Sequence, residues 1–329
     1  MPLIAPFAIA LVTVLATTPL VQVLARRLGF VDRPASRKVH AHPVPLGGGV
    51  ALVAGILAGV VAGPSFELEA RFALAALAGL AVAVGLGLVD DRSPLRPGPK
   101  LAGQILAASI LVLGSGHPAL TALHGLAVPL AVIGVVALMN ACNFLDNMDG
   151  ILGGIALICA SAYLVLARAG AVPVAAMAAA TAGASAGFLA FNFAPARIFL
   201  GDAGSLALGY LLAVLALGLI PPDLPVWPGL GIVLVLGYPI FDLAFVTITR
   251  LRDRRKVWLP GKDHSSHRLN RLLMSPRLTA LTIYALSSMM ALAGLLVCRF
   301  PGLLGALAAG LGTAVLLGLG LRLARVPAG

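Results

Sequence analysis

Apolar residues run through this chain in long stretches, and short polar stretches separate them. A helix of ~20 apolar residues crosses the ~30 Å hydrocarbon core of a bilayer. Eleven stretches fit this pattern, near 3–24, 47–63, 71–89, 101–115, 125–141, 151–168, 173–191, 203–220, 228–249, 278–298 and 302–321. No segment between them is long enough to form a soluble domain. The pattern therefore predicts one all-α polytopic membrane domain over residues 1–329, with 10–11 transmembrane helices.

Composition supports this fold class. Hydrophobic residues make up 60% of the chain and charged residues 11%, whereas soluble domains carry about 25% charged residues. The first span has no basic residue before it and is followed by Arg26 and Arg27. A cleavable signal peptide begins with a basic region, so we expect a retained helix whose N-terminus lies outside.

The basic residues test this orientation independently. With the N-terminus outside, the loops near 25–46, 90–100, 142–150, 192–202 and 250–277 and the C-terminal tail face the cytoplasm. They hold every Lys and Arg except Arg71, Arg168 and Arg299, as the positive-inside rule requires. The formal net charge of +11 follows from this topology, with attraction to anionic lipid as a consequence. It gives no reason to expect a nucleic-acid partner.

The acidic residues also gather on this side. All except Glu67, Glu69 and Asp223 lie on or near the predicted cytoplasmic face, although orientation does not depend on acids. Acids placed among bases on one face indicate a site that handles both a metal and an anion.

An adjacent pair of acids, Asp90 and Asp91, closes the third predicted span, and Lys100 opens the fourth. Neighbouring carboxylates repel each other unless a cation compensates them. Arg92 and Lys100 could do so as ordinary surface charges, so the pair alone leaves a structural role and a functional role equally open.

Four polar residues recur at every third position in "NACNFLDNMDG": Asn140, Asn143, Asp146 and Asp149. Three residues of an α-helix turn through ~300°, so Asn140 and Asp149 would lie on opposite sides of one helix. We therefore expect Asn140 on the fifth span and Asp149 in the turn after it. A solvated helix end explains one or two polar residues but not a spaced set, which favours a functional site.

Two further aspartates stand in apolar surroundings. Asp202, flanked by small residues, opens the eighth span, where free N–H groups suit an anion and a carboxylate suits Mg²⁺. It would serve equally well as the helix N-cap. Asp242 lies inside the ninth span, where an acid is costly. It is either a functional residue or the partner of a basic residue.

The last long loop contains a basic run, Arg250 to Lys256, that we interpret as an anchor on the membrane surface. His264 and His267 follow Asp263 and precede Arg268. Two imidazoles could bind a transition metal, but no Cys or third His accompanies them. Arg and His converging on a pyrophosphate fit the basic setting better.

Five motifs in this order resemble the polyprenyl-phosphate N-acetylhexosamine-1-phosphate transferases (glycosyltransferase family 4). They are "RKVH…PVPLGGG", "GLVDDRSPL…KL", "NACNFLDNMDG", "FLGDAGS" and "DHSSHRL", and the resemblance covers about residues 30–270. It implies an active site built from cytoplasmic loops near 25–46, 90–100, 140–150, 192–204 and 250–277. It also implies a multi-pass protein of the bacterial cytoplasmic (inner) membrane.

The resemblance implies a reaction in which polyprenyl phosphate attacks a UDP-sugar, forms polyprenyl-diphosphate sugar for cell-envelope glycans and releases UMP. The implied cofactor is Mg²⁺, with Mn²⁺ as an alternative. The implied catalytic residues are Asp90, Asp91, Asp146, His264 and His267, and Asp202 is the implied metal ligand. The implied substrate-binding residues are Lys38, Lys100, Asn140, Asn143, Asp149, Phe199 and Arg268.

The chain departs from the family pattern at two positions. Many members read HxHH where this chain has His264, Ser265, Ser266 and His267, so Ser266 replaces the second of the three histidines. Gly is common at the position of Asn147. The compact triple histidine of the phospho-N-acetylmuramoyl-pentapeptide transferases is absent. We therefore favour the undecaprenyl-phosphate GlcNAc-1-phosphate transferase branch, with the pentapeptide transferase as the alternative.

Two other classes of membrane protein, a secondary transporter and a scaffold, are alternatives. A secondary transporter places ionisable groups near the membrane midplane, often within inverted repeats, but only Asp242 lies inside a span and no repeat is evident. A scaffold would use the stripe Gly55, Gly59 and Gly63, which suits either intramolecular helix packing or a homodimer. Neither class explains the clustered aspartates.

Overall fold

The computed structural model describes residues 3–32, 43–63, 70–121, 125–167, 172–223, 225–259 and 261–327, and most of these residues are helical. The helices are α1 (Ile4–Arg27), α2 (Gly48–Val61), α3 (Ala70–Arg92), α4 (Pro97–Ser115), α5 (Ala127–Leu145), α6 (Ile151–Leu166), α7 (Val172–Asn192), α8 (Gly201–Leu219), α9 (Val226–Val235), α10 (Gly237–Arg252), α11 (Ser265–Leu273), α12 (Pro276–Arg299) and α13 (Leu303–Leu323). A short 3₁₀-helix, Pro118–Thr121, follows α4.

The helices confirm an all-α membrane architecture. Each predicted span contains helix, and eight helices are long and apolar enough to cross a bilayer unaided: α1, α3, α4, α5, α7, α8, α12 and α13. The apolar helices α2 and α6 have 14 and 16 residues, which corresponds to a rise of only ~21–24 Å. The number of eleven spans and the orientation of the termini therefore stay predictions.

The ninth predicted span is not one straight helix. It consists of α9 and α10, which meet at Leu236 with a bend of 72°. Pro239 follows the break, and a proline ring removes the backbone bond to the carbonyl four residues earlier and clashes with it. That carbonyl, of Val235, accepts a bond from Cys159 Sγ at 3.3 Å. Helix α11, within the last long loop, was also missed by the sequence analysis.

Helix α8 occupies the centre of the molecule and packs against α3, α5 and α2. The start of α2 fixes the segment that leads into α8, because Gly48 N–H donates to Phe199 O at 3.0 Å and Gly49 N–H to Leu200 O at 2.9 Å. A Cβ on Gly49 would lie 2.3 Å from the backbone N of Gly204. Glycine is therefore required for this close helix approach.

A two-stranded antiparallel ribbon, β1 (Val31–Asp32) and β2 (Val44–Pro45), closes the base of the first predicted cytoplasmic loop. Pro45 O accepts a bond from Phe199 N–H at 2.9 Å, so the ribbon also supports the entrance to α8. The tip of the loop, including the predicted substrate-binding residue Lys38, lies outside the described residues.

Candidate active site

Four helices meet at one end of the bundle around the ammonium group of Lys100. This group lies 2.7 Å from Asp90 Oδ2 and 2.8 Å from Asp202 Oδ2, and it donates to Asn143 Oδ1 at 3.2 Å. Asp90 is in the last turn of α3, Lys100 in the first turn of α4, Asn143 near the end of α5 and Asp202 in the first turn of α8. The fold thus brings together four residues that are far apart in sequence; we call this group the Lys100 cluster.

Further hydrogen bonds orient the carboxylates of this cluster. Asn143 Nδ2 donates to Asp202 Oδ1 at 2.7 Å and to Ser205 Oγ at 2.9 Å. Leu95 N–H donates to Asp90 Oδ1 at 2.6 Å. The Asp202 side chain is still 31% exposed, whereas that of Asp90 is 7% exposed. Of the two carboxylates, Asp202 is therefore the more accessible to a ligand.

Asp91 differs in role from its neighbour Asp90. Its carboxylate accepts the N–H of Asp202 at 2.7 Å and that of Ala203 at 3.1 Å. It therefore caps α8 from another helix and stabilises the exposed donors of the first turn. This corrects two expectations: these N–H groups do not await an anionic ligand, and Asp202 is not their cap.

The turn from Asp146 to Gly150 connects α5 to α6 beside this cluster. Asp149 Oδ2 accepts the N–H of Ala196 at 2.8 Å, and Gly150 N–H donates to Asn192 Oδ1 at 3.0 Å. The turn is thereby fastened to the segment between α7 and α8. Asn140 lies within α5 and Asp149 in the turn, which confirms that the polar series straddles a helix end.

Asp146 follows the last residue of α5 and lies in an acidic environment. Burial, together with the negative charges of Asp202, Asp91 and Asp149, raises the pKa of Asp146 to about 8. Burial disfavours the charged carboxylate, and nearby like charges do so as well. A bound cation would relieve this repulsion, so the turn favours a positively charged ligand.

Asn140 belongs to a pair of side-chain amides that joins two helices. Its Nδ2 donates to Gln104 Oε1 at 2.8 Å and to Val136 O at 2.8 Å, while Gln104 Nε2 donates to Asn140 Oδ1 at 3.3 Å. This buried amide pair joins α4 to α5, one turn behind Lys100 and Asn143. Asn140 therefore supports the cluster from behind, and its predicted contact with a substrate stays a prediction.

A second polar group surrounds Asp242, which is fully buried. Its carboxylate faces His264 Nδ1 at 3.0 Å and accepts the N–H of Ser265 at 2.9 Å and the hydroxyl of Ser265. The intramembrane acid thus pairs with a histidine and anchors the start of α11. The His264 ring also packs edge-on against Phe144, with ring centroids 5.4 Å apart.

His267 is one turn further along α11, with its ring 6.2 Å from that of His264. Burial and the positive charges of His264 and Lys262 lower the pKa of His267 to about 4. Its imidazole is therefore neutral at pH 7 and acts as a hydrogen-bonding group.

Arg250 and Arg268 are both almost fully buried, which corrects the interpretation of Arg250 as part of a surface anchor. Arg250 does not lie on the membrane surface but forms a bidentate ion pair with Asp263, at 2.8 and 2.7 Å. Arg268 donates to the carbonyls of Asp263, Leu323 and Val326 at 3.1, 3.0 and 2.6 Å. Because these bonds fasten the end of α13, Arg268 has a structural role, and its predicted contact with a substrate stays a prediction.

Sequence reasoning missed three polar residues of this region: Gln104, Ser205 and Asn192. Gln104 is four residues after Lys100, and Ser205 is three after Asp202, so each lies on the same helix face as a candidate residue. That spacing was a usable signal for both. Asn192 carries no comparable signal, because its partners Gly150 and Ile198 are set by tertiary structure. Phe199 leads into α8 as expected, with its backbone bonded to Pro45 and Gly48.

Comparison with known proteins identifies the family. Residues 73–220 match the family model described as glycosyl transferase family 4. The chain is 34% identical to a Bacillus subtilis protein named probable undecaprenyl-phosphate N-acetylglucosaminyl 1-phosphate transferase, over 86% of this chain and 81% of the relative. The chain belongs to glycosyl transferase family 4. Three of the five motifs, "GLVDDRSPL…KL", "NACNFLDNMDG" and "FLGDAGS", lie within the matched residues 73–220.

Two other relatives of this glycosyl transferase family 4 member indicate its branch. A Mycobacterium tuberculosis decaprenyl-phosphate N-acetylglucosaminephosphotransferase is 34% identical over 84% of this chain and 77% of the relative. A Heliobacterium modesticaldum phospho-N-acetylmuramoyl-pentapeptide-transferase is also 34% identical, but over 58% of this chain and 67% of the relative. The longer matches confirm the predicted resemblance to the GlcNAc-1-phosphate branch.

The Lys100 cluster has the chemistry that a hard cation requires. Among the described residues there is no group of three or more His, Cys, Asp or Glu arranged around a metal position. Mg²⁺ needs only one or two carboxylates, because water and phosphate oxygens fill its other positions. The partly exposed carboxylate of Asp202, with the acidic Asp146 turn beside it, fits such an ion.

Proposed function

We propose that this protein transfers N-acetylglucosamine-1-phosphate from UDP-N-acetylglucosamine to a polyprenyl phosphate in the bacterial cytoplasmic membrane, for cell-envelope glycan synthesis. The observation that carries the proposal is the Lys100 cluster at one end of a membrane-embedded helix bundle. The ammonium group of Lys100 lies between the carboxylates of Asp90 and Asp202. It can bind phosphate oxygens in place of these carboxylates. The names of the relatives matched over most of the chain give the substrate class.

The proposed reaction is a phosphoryl transfer. An oxygen of the lipid phosphate forms a bond to the β-phosphorus of the UDP-sugar. The bond from that phosphorus to the oxygen bridging the α-phosphate breaks, and UMP leaves with that oxygen. Such a reaction requires in-line positioning and neutralisation of charge on the phosphate oxygens.

The residues of the Lys100 cluster divide this work by position. Lys100 contacts both carboxylates and would bind phosphate oxygens. Asn143 orients Asp202 through its amide, and Asp91 holds the turn on which Asp202 stands. Asp90 keeps Lys100 at the centre, and we propose that Asp90 accepts a proton from the lipid phosphate.

Asp202 would hold the divalent cation, and Asp146 would stand beside it. Bound Mg²⁺ supplies charge neutralisation and a template for the diphosphate oxygens. The raised pKa of Asp146 fits this arrangement. Neighbouring acids disfavour the ionised form of this carboxylate, and a cation close to it would favour that form.

Purified protein in detergent is expected to release UMP only when undecaprenyl phosphate, a divalent cation and UDP-N-acetylglucosamine are all present. The measurement is a panel of UDP-sugars, including UDP-N-acetylmuramoyl-pentapeptide, with lipid or cation omitted in turn. Selective use of the pentapeptide nucleotide would move the protein to the other branch. Folded protein that releases no UMP with any sugar would contradict the proposed reaction.

His267 is expected to act without a positive charge, because its pKa is lowered to about 4. His267→Gln should therefore keep most of the activity, within about threefold, whereas His267→Ala loses a hydrogen bond worth ~1.4 kcal/mol, about tenfold in rate. The wild-type kcat/KM for the UDP-sugar should show no ionisation due to His267 between pH 6 and 8. If Gln and Ala variants are equally impaired, the imidazole charge or its metal affinity is required after all.

A further inference from the structure

A single hydrogen bond joins the two positions at which this chain departs from the common family pattern. Ser266 Oγ donates to Asn147 Oδ1 at 2.6 Å. Ser266 is fully buried, and Asn147 uses its other amide atom, Nδ2, to donate to Phe144 O. Both polar ends of Asn147 are therefore engaged, one by α11 and one by the end of α5.

The two departures also match in size. Asn and Ser together have the same number of side-chain non-hydrogen atoms as Gly and His. Filling a buried space with an equal volume is tolerated far better than enlarging one side alone. The pair Asn147 and Ser266 can therefore fill the space that Gly and His would share.

The location of this bond links the two halves of the site. Asn147 follows Asp146 in the turn beside the Lys100 cluster, and Ser266 precedes His267 on α11. The start of α11 is anchored on its other side by Asp242, which belongs to α10. A shift of the turn relative to α11 would change the separation of Asp146 and His267.

We propose that the Asn147–Ser266 hydrogen bond is a positioning contact that sets the α5–α6 turn against α11, and that the two side chains act as one coupled pair. Asn147 and Ser266 act on the UDP-sugar through Asp146 and His267 and do not touch it themselves. The proposal rests on the proposed function for its effect on activity. The contact itself can be tested without the reaction.

Each single replacement should disturb this contact in a defined way. Asn147→Gly leaves the buried Ser266 hydroxyl without its partner, which costs ~1–3 kcal/mol. Ser266→His forces a larger side chain against Asn147, and overpacking costs a similar ~1–3 kcal/mol. The double variant N147G/S266H removes the obstruction and refills the space.

The experiment is a double-mutant cycle over wild type, N147G, S266H and the double variant. Two quantities are measured in detergent: the thermal unfolding midpoint, and KM and kcat for UDP-N-acetylglucosamine. Each single variant should lower the midpoint by at least about 2 °C and raise KM by about fivefold or more. The double variant should return both quantities close to wild type, with KM within about twofold.

Ser266→Ala and Ser185→Ala form a matched control pair. Both serines are fully buried, but the Ser185 hydroxyl has no hydrogen-bond partner among the described residues. Ser266→Ala should lower the midpoint and raise KM, whereas Ser185→Ala should change neither. Equal effects of the two replacements would show that the Asn147 contact contributes nothing.

The outcomes separate this proposal from the proposed function. Additive changes in the unfolding midpoint would overturn the contact whether or not the wild type is active. The double variant could have a restored unfolding midpoint while its KM is raised by the product of the two single-variant increases. That result would overturn the positioning role. A wild type that releases no UMP with any sugar would contradict the transferase, and with it the positioning effect on KM.

Discussion

Asp202→Asn is expected to lower UMP formation by about 10³-fold, which corresponds to ~4 kcal/mol of lost transition-state stabilisation. The replacement has nearly the same shape and keeps one of the two acceptor oxygens, so it can still accept from Lys100 or from Asn143. It removes the negative charge from the most accessible carboxylate of the cluster. The loss should therefore fall on cation binding and on charge neutralisation, and not on the fold.

The measurement is the rate of UMP release as a function of Mg²⁺ concentration, for wild type, Asp202→Asn and Asp223→Asn. Asp223 is exposed and distant from the site in sequence and topology, so its replacement should leave the rate unchanged. The half-saturating Mg²⁺ concentration should rise in Asp202→Asn. A large loss of rate with unchanged Mg²⁺ dependence would assign Asp202 to orienting Lys100 and would remove it as the metal ligand.

Sequence patterns located the site well because most of its residues stand at helix ends. A polar residue that closes or opens an apolar stretch is conspicuous, and Asp90, Lys100, Asn143 and Asp202 were all recognised in this way. The short apolar helices α2 and α6 were also recognised as helices. Their ends were less certain, because a hydropathy pattern does not show where backbone hydrogen bonds stop.

The roles of these residues were harder to predict than their positions. Adjacent residues of a helix point ~100° apart, so Asp90 faces Lys100 while Asp91 faces the start of α8. The sequence "DD" contains no information about which helix each of the two side chains contacts. Asn140 and Arg268 show the same limit, because their partners, Gln104 and the end of α13, come from other helices.

Buried charges were underestimated for a related reason. The basic run after α10 is typical of a loop at the membrane surface, and Arg252 and Arg254 are exposed there. Arg250 lies in the same run but faces inward, where Asp263 from the following loop balances its charge. Composition describes the average of such a run and not the orientation of one member.

Asp263→Asn is expected to destabilise the protein by ~3–5 kcal/mol, because it leaves the buried Arg250 guanidinium without its counter-charge. Asp253→Asn is the matched control, since Asp253 forms an exposed pair with Arg252 at 3.1 Å and exposed pairs contribute ~0–1 kcal/mol. In thermal unfolding in detergent, Asp263→Asn should lower the midpoint by about 6 °C or more. Asp253→Asn should change it by about 2 °C at most. Equal shifts for the two variants would contradict a stabilising role of the buried pair.

The pH dependence gives this prediction a second test with a definite sign. Burial alone would raise the pKa of Asp263, but the hydrogen bonds and charge of Arg250 outweigh burial and lower the pKa to about 2. An unfolded Asp has a pKa near ~3.9, so the ion pair contributes its full stability above about pH 4. That contribution is lost as the pH falls through about 2. The difference in midpoint between wild type and Asp263→Asn should therefore be constant from pH 5 to 8 and shrink below pH 4, whereas a difference that shrinks towards pH 8 would contradict the assignment.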